Sequence, residues 1–351
     1  MPSSLAPSAT DPLARHSNDR AVLLWLAACC LMVVAMMVIG AITRLTESGL
    51  SMVEWRPLIG TLPPLSEAEW QRVFDLYRST SEYQLANAGM SLEAFKTIFW
   101  WEYIHRLWGR LIGLVFAVPF VWFLLRRRIP AGMTPHLVAL LALGAVQGVI
   151  GWWMVKSGFV DRTDVSQYRL AVHLGMAFLI LGYMLWLAIG LARGPEPVTA
   201  PPRLRTAGWA VMAFVSVTVV SGALVAGLNA GLVYNEWPLM GGRFVPAEYT
   251  ELQPFWRNLF DNHGAVQFDH RVLAYLTAAA VMAFWLFVSR AAVSGGTRMA
   301  ATLLMLAVAG QVLLGIATVL TAVPLSLGVL HQLGAITLFC LSVWTVRTLH
   351  A

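Results

Sequence analysis

The sequence predicts an all-α integral membrane protein with eight transmembrane helices, arranged as two tandem parallel four-helix bundle repeats. The first observation is composition: 58% of the 351 residues are hydrophobic and 12% are charged, against about a quarter charged in a soluble protein. The second is a set of uncharged runs long enough to cross a membrane. The third is that the chain matches itself at offsets of about 160 to 180 residues.

The composition also excludes some classes of function. A chain with so large a hydrophobic fraction is not a soluble enzyme. The net charge of +6 is spread over a chain without a compact basic block, which indicates arginine at membrane edges and not nucleic acid binding. Cys29, Cys30 and Cys340 all lie in apolar runs, where a thiol behaves as a small hydrophobe, and no loop carries a cysteine to pair, so the cysteines say little about disulfides.

The eight predicted spans follow from cutting the apolar runs at turn residues. Residues 1–20 are polar and are predicted to form a disordered cytoplasmic tail, and the run after them is too long for a secretion signal. The longest run, 299–346, is about twice what one helix needs to cross, and it is cut at Pro324. The predicted spans are 21–42, 104–125, 136–155, 169–191, 207–229, 268–289, 298–321 and 328–347.

The loops set the orientation. Short loops after spans two, four and six carry arginine, whereas the short loop after span seven has none, so both termini are predicted to be cytoplasmic. The long segments 43–103 and 230–267 then lie on the outer side. Ser66 and Glu69 form a capping box, which predicts an amphipathic helix on the membrane surface, and a further helix is expected to start near Ser91 and run into the second span.

The internal repeat relates a first half, residues 21–192, to a second half, residues 207–351, across a cytoplasmic linker at 193–206. A repeat of four spans is even, so both halves enter the membrane in the same direction. The matched pairs are Gly49-Leu50 with Gly231-Leu232, Glu54-Trp55 with Glu236-Trp237, Tyr103-Ile104-His105-Arg106 with Phe268-Asp269-His270-Arg271, Gln147 and Gly151 with Gln311 and Gly315, and His173-Leu174-Gly175 with His331-Gln332-Leu333-Gly334.

Four histidines occupy the outer ends of the even-numbered spans: His105, His173, His270 and His331. A single histidine at a span end is more often an interfacial side chain than a ligand, but four in repeat-related positions favour ligands. Two imidazoles facing each other across an apolar four-helix bundle suit a haem iron. Zinc is less favoured, because close spacing of the His-Glu-x-x-His kind is absent.

Three arginines near these histidines are candidates for haem binding. Arg106, Arg110 and Arg271 are placed along the chain where their guanidinium groups could neutralise haem propionates. The alternative is an interfacial arginine whose side chain extends to lipid headgroups.

The repeat is asymmetric at one position. Glu102 stands three residues before His105 on the same helical face, and Gln267 stands at the equivalent position before His270. A carboxylate near a metal site at the membrane edge is costly unless it is used, so the first half is predicted to be the reactive one. The alternative is a solvated acid at a helix entry, where the helix dipole favours negative charge.

These residues together resemble the haem A synthase family. The resemblance rests on Glu102-Tyr103-Ile104-His105-Arg106-Leu107-Trp108-Gly109-Arg110, on Thr43-Arg44-Leu45-Thr46 and Gly49-Leu50-Ser51, and on the paired histidine motifs. It covers the chain from residue 21 onward. Some members of the family carry paired cysteines in the outer loops; this chain has none there, so a disulfide role does not transfer.

The resemblance implies oxidation of a pyrrole methyl group of haem O to the formyl group of haem A. It implies that the second half holds a haem b cofactor on His270 and His331. The first half would bind the substrate haem between His105 and His173, with Glu102 supporting catalysis. Haem O synthase, the protohaem farnesyltransferase, and cytochrome oxidase assembly proteins are the implied partners, in a bacterial inner membrane; a homo-oligomer is compatible with the sequence.

Two other classes of protein use part of the same pattern. A diheme b-type electron-transfer subunit linked to quinol would use the four histidines without Glu102. A transporter built from parallel repeats would show broken helices at mid-membrane instead of ligands at one edge. The sequence leaves the electron donor and the oxygen source open.

Overall fold

The computed structural model describes residues 12–54, 62–159, 163–193 and 200–350. Within these ranges eight helices are long and apolar enough to cross a membrane, and no β-strand occurs. The predicted all-α, eight-span class is therefore confirmed. In chain order the helices are α1 (Pro12–Leu45), α2 (Glu67–Arg78), α3 (Ser81–Leu85), α4 (Leu92–Leu125), α5 (Thr134–Lys156), α6 (Gln167–Arg193), α7 (Pro202–Gly227), α8 (Asn258–Asp261), α9 (His263–Arg290), α10 (Gly295–Leu320) and α11 (Leu325–Thr348).

Several helices begin earlier than the predicted spans because polar residues cap them. Helix α4 starts at Leu92, where Ser91 Oγ accepts a hydrogen bond from Ala94 N at 3.2 Å, as the sequence predicted. Helix α9 starts at His263, because the Asn262 side chain accepts from Ala265 N at 3.1 Å. Helix α1 starts at Pro12, inside the predicted tail. The rest of that tail, 1–11, the linker residues 194–199 and Trp55 lie outside the described residues.

The Ser66 side chain caps the predicted helix as expected, but the helix packs on protein. Ser66 Oγ accepts from Glu69 N at 3.2 Å at the start of α2. The α2 residues Trp70, Phe74 and Tyr77 are buried against the outer extension of α4, with the rings of Trp70 and Phe99 5.0 Å apart. The apolar face of α2 is thus used to cover α4, so the expectation that it rests on the membrane surface is replaced by a protein contact.

The spanning helices contact one another in two rings of four. Helices α1, α4, α5 and α6 contact in sequence around the first ring, and α7, α9, α10 and α11 around the second. The rings meet where α1 and α6 contact α11 and where α6 contacts α7. A single continuous apolar core draws residues from both rings. The three cysteines are free thiols, and Cys29 and Cys30 lie in this core.

A polar network joins the rings on the side where the long loops lie. Arg44, at the end of α1, forms an ion pair with Asp164 at 3.1 Å and donates to Asn229 Oδ1 at 2.9 Å. Asn229 Nδ2 in turn donates to Asp164 Oδ2 at 3.2 Å. Arg44 Nε also donates to the Ala226 carbonyl at 3.1 Å. One guanidinium thus connects the end of α1, the loop before α6 and the end of α7.

Candidate functional site

Each of the four predicted ligand histidines packs against a glycine on a neighbouring helix. A Cβ atom added to any of these glycines would crowd the imidazole, so the rings lie where only a glycine leaves room. The closest distances from such a Cβ are 3.3 Å for Gly40 to His105 Nε2, 3.0 Å for Gly151 to His173 Cε1, 3.1 Å for Gly222 to His270 Cε1 and 2.9 Å for Gly315 to His331 Cε1.

The two histidines of the second ring face each other. The ring centres of His270 on α9 and His331 on α11 are 6.5 Å apart, and the ring planes are nearly perpendicular at 86°. Bonds from imidazole nitrogen to a metal are about 2 Å long, so two imidazoles on opposite sides of one metal ion hold their centres roughly 6 Å apart. His270 and His331 would therefore be able to hold a haem iron between them. No group of three or more His, Cys, Asp or Glu suited to a bare metal ion occurs in the described part of the chain.

The first ring holds the other two histidines on two of its helices. His105 on α4 packs against Gly40 of α1, and His173 on α6 packs against Gly151 of α5. Gln147 on α5 donates from Nε2 to the His173 carbonyl at 3.1 Å. Gln311 on α10 makes the equivalent bond to the His331 carbonyl at 2.9 Å. Gln147 and Gln311, which the repeat relates, thus bond to equivalent turns of α6 and α11.

Glu102 is a buried carboxylate surrounded by donors. Its exposed fraction is 3%, and its Oε2 accepts from Ser51 Oγ and from Met52 N, each at 2.7 Å. Its Oε1 is paired with Arg106. A buried carboxylate needs such donors, because desolvating an unpaired one costs several kcal/mol. The alternative of a solvated acid at a helix entry does not describe this residue.

Gln267 occupies the equivalent position in the second half with a different bonding pattern. It is also buried, with 2% exposed, and its Nε2 donates to the Tyr234 carbonyl at 3.1 Å. Tyr234 is the equivalent of Met52, in the same register of the repeat that relates Gly231 to Gly49. The two side chains thus reach equivalent loop residues, one as an acceptor and one as a donor.

The arginines that follow the histidines hold the outer loops. Arg106 donates to the Met52 carbonyl at 2.9 Å, and Arg271 donates to the Tyr234 carbonyl at 3.0 Å. The Arg106 side chain is only 10% exposed, so it does not extend to lipid headgroups. Arg110 lies one turn further along α4 and is half-buried. A contact of any of the three with a haem propionate stays a prediction.

One residue beside the predicted ligand His270 was not predicted from the sequence. Ser221 Oγ on α7 lies 2.8 Å from His270 Nδ1. A serine inside an apolar helix gives no signal of its own. Its position next to Gly222, which the register of Gly231 with Gly49 relates to Gly40, is the pattern that could have found it.

Eight spanning helices in two rings of four, with two histidines in each ring and a buried carboxylate one turn from His105, define an all-α membrane protein of the helix-bundle class. Comparison with known proteins gives the family within that class. The profile of the cytochrome oxidase assembly protein family matches residues 23–343, and this chain belongs to that family.

Curated relatives are similar over nearly the whole chain. The heme A synthase of Rhodospirillum centenum is 52% identical over 99% of this chain and 92% of its own length. The heme A synthase of Parvibaculum lavamentivorans is 48% identical over 95% of each chain. That of Nitrosospira multiformis is 47% identical over 97% of this chain and 96% of its own.

Proposed function

We propose that this protein is a haem A synthase, which oxidises a pyrrole methyl group of haem O to the formyl group of haem A. The relatives support the overall activity. The observation that best supports this reaction concerns Glu102. Its carboxylate is buried one turn from His105, and Gln267 occupies the equivalent position in the other half.

The two halves have different tasks in this proposal. The second half, 207–351, holds a haem b cofactor on His270 and His331, supported by their facing rings 6.5 Å apart. The first half, 21–192, binds haem O between His105 and His173. Resident haem supplies a path for electrons. The residues that would bind the propionates are Arg106, Arg110 and Arg271.

The reaction releases protons, and this is where Glu102 acts. With water as the oxygen source, R–CH3 + H2O gives R–CHO + 4 H⁺ + 4 e⁻, through a hydroxymethyl group and a geminal diol that loses water, and a one-electron acceptor outside this chain takes the four electrons in turn. Glu102 accepts a proton or stabilises positive charge developing at the methyl carbon. The bonds from Ser51 and Met52 fix the carboxylate so that it need not reorient during the reaction.

The proposed setting is a bacterial inner membrane with both termini in the cytoplasm. The farnesyl-type tail of haem O favours entry from the bilayer. Haem O synthase supplies the substrate, and the assembly machinery of cytochrome oxidase receives the product.

The test is Glu102→Gln in membranes that also contain a source of haem O. Glutamine still accepts from Ser51 and Met52 but lacks the charge, so haem O should bind while haem A formation falls by roughly two to four orders of magnitude. The measurement is chromatography of extracted haems. The matched control is Glu93→Gln on the same helix, where the 81% exposed side chain pairs with Lys96.

Normal haem A from Glu102→Gln would end the catalytic role of this residue. Loss of bound haem O, with turnover recovering in excess substrate, would assign Glu102 to binding instead.

A further inference from the structure

The imidazoles of the two halves differ in hydrogen bonding at Nδ1. In the second half Ser221 Oγ lies 2.8 Å from His270 Nδ1. Gln311 Nε2 donates to the His331 carbonyl at 2.9 Å and lies 3.2 Å from His331 Nδ1, so it offers that atom no acceptor. In the first half His173 Nδ1 is buried with no hydrogen-bond partner among the described residues. The position equivalent to Ser221 in the repeat is Ile39.

The glycines support this equivalence. Ile39 precedes Gly40, and Ser221 precedes Gly222. A Cβ on Gly40 would lie 3.3 Å from the His105 ring, and one on Gly222 would lie 3.1 Å from the His270 ring. A hydroxyl therefore stands beside one ligand where an aliphatic side chain occupies the matching position near the other.

The contacts of Ser221 favour one tautomer of His270. Ser221 Oγ lies 2.8 Å from the Thr218 carbonyl and 2.8 Å from His270 Nδ1. A carbonyl only accepts and a hydroxyl has one hydrogen to donate, so both contacts are hydrogen bonds at once when Oγ donates to Thr218 and Nδ1 carries a proton that it donates to Oγ. A neutral imidazole with its proton on Nδ1 has a free electron pair on Nε2, the atom that then binds a metal.

We infer that Ser221 is a positioning residue that holds His270 as an Nε2 ligand of resident haem, whereas Ile39 leaves His105 without this restraint so that haem is exchanged in the first half. This inference rests on the proposed division of tasks. A bond from Nδ1–H raises the basicity of Nε2. A more basic ligand stabilises ferric iron and lowers the reduction potential of the haem.

The test compares Ser221→Ala with Ser216→Ala in purified full-length holoprotein. Ser216 is on the same helix, and its hydroxyl donates to the Met212 carbonyl at 2.8 Å. Ser221→Ala should lower haem b affinity, measured by transfer to apomyoglobin, roughly ten- to a hundred-fold, and raise the midpoint potential. Ser216→Ala should change neither, and Ser221→Thr, which keeps a hydroxyl, should restore both.

The reciprocal change is Ile39→Ser, compared with Ile39→Val as the control for size. The new hydroxyl should slow release of haem from the first half about tenfold. Equal haem b affinity and potential in Ser221→Ala and Ser216→Ala would overturn the inference. If Ser221→Ala does not fold, equal release rates from Ile39→Ser and Ile39→Val would overturn it.

The Ser221 measurement concerns haem b alone, so the two proposals fail separately. Protein that retains haem b but converts no haem O contradicts only the proposed function. Protein that makes haem A while Ser221→Ala behaves as Ser216→Ala contradicts only the inference.

Discussion

Two carboxylates that are buried on the outer side of the first ring differ in how many hydrogen-bond donors surround them. Glu102 is satisfied by a hydroxyl, a backbone N–H and a guanidinium. Glu82 on α3 is 4% exposed, and its Oε2 has no hydrogen-bond partner in the described part of the chain. Burial raises the pKa of Glu82 to about 8, against a lowering effect of the Tyr77 hydrogen bond and with a further increase from the charge of Glu102.

This raised pKa predicts a pH-dependent stability. Below pH 4.5 the folded and unfolded chains both hold the Glu82 proton, so the group contributes no difference. Between 4.5 and about 8 only the folded chain holds it, so stability falls as pH rises. Above that range the full penalty is present, up to roughly 5 kcal/mol. Glu82→Gln should therefore melt higher than the parent at about pH 9 and nearly equal to it at about pH 5.

Thermal melting of the detergent-solubilised protein at the two pH values measures this. Glu67→Gln is the control, because its side chain is 82% exposed and should give no such difference. A melting difference for Glu82→Gln that is the same at both pH values would contradict the prediction.

At the scale of residues, the sequence marked Glu102 as a candidate for the reaction but did not predict its hydrogen-bond partners. Glu102 stands out because it shares a motif with His105 and breaks the repeat. Glu102 and its partner Ser51 are 51 residues apart in the sequence. They come into contact only when the loop after α1 folds over α4. Asp164 and Asn229 escaped prediction for the same reason, since their bonds to Arg44 join segments far apart in sequence.

At the scale of elements, hydrophobic runs predicted the spans, and capping residues determine where the helices begin. The start of α4 was predicted because Ser91 precedes a helical pattern. The start of α9 was not, because Asn262 caps a turn that extends beyond the apolar run. The surface against which the apolar face of α2 packs is set by tertiary structure, and a periodic pattern does not specify that surface.

The glycines beside the histidines give a prediction at this scale. Gly315→Ala on α10 places a Cβ 2.9 Å from His331 Cε1, so the ring must move and the low-spin haem b absorbance should be lost or strongly reduced. The measurement is the absorbance spectrum of purified protein.

The matched control is Gly310→Ala on the same helix, where a Cβ meets nothing within 4 Å. Alanine is favoured over glycine in a helix by about 1 kcal/mol, so this variant should keep the haem. Equal haem b in both variants would show that His331 is not a haem ligand.

At the scale of the whole molecule, the two rings share one core and are joined by the Arg44 network. The order of the spans and the positions of the histidines followed from the sequence. The shared core did not, because apolar residues that face lipid and those that face a neighbouring helix have the same composition.

The arginine pattern gives a prediction about orientation. A reporter active in the cytoplasm should work when placed after Arg128 or at the C-terminus, and should be silent after Glu82 or Glu251. Activity of such fusions in cells is the measurement. The reverse pattern would place all four predicted ligand histidines on the cytoplasmic side of the membrane.

The identity of the haems bound to the purified protein tests the central claim most directly. The protein is expressed with haem O synthase, and its pigments are extracted and separated by chromatography. We expect haem b together with haem A or its hydroxylated precursor, and we expect His270→Ala and His331→Ala to lose the haem b. Haem b alone in the parent protein would contradict the account and favour electron transfer, and the absence of any haem would favour a transporter.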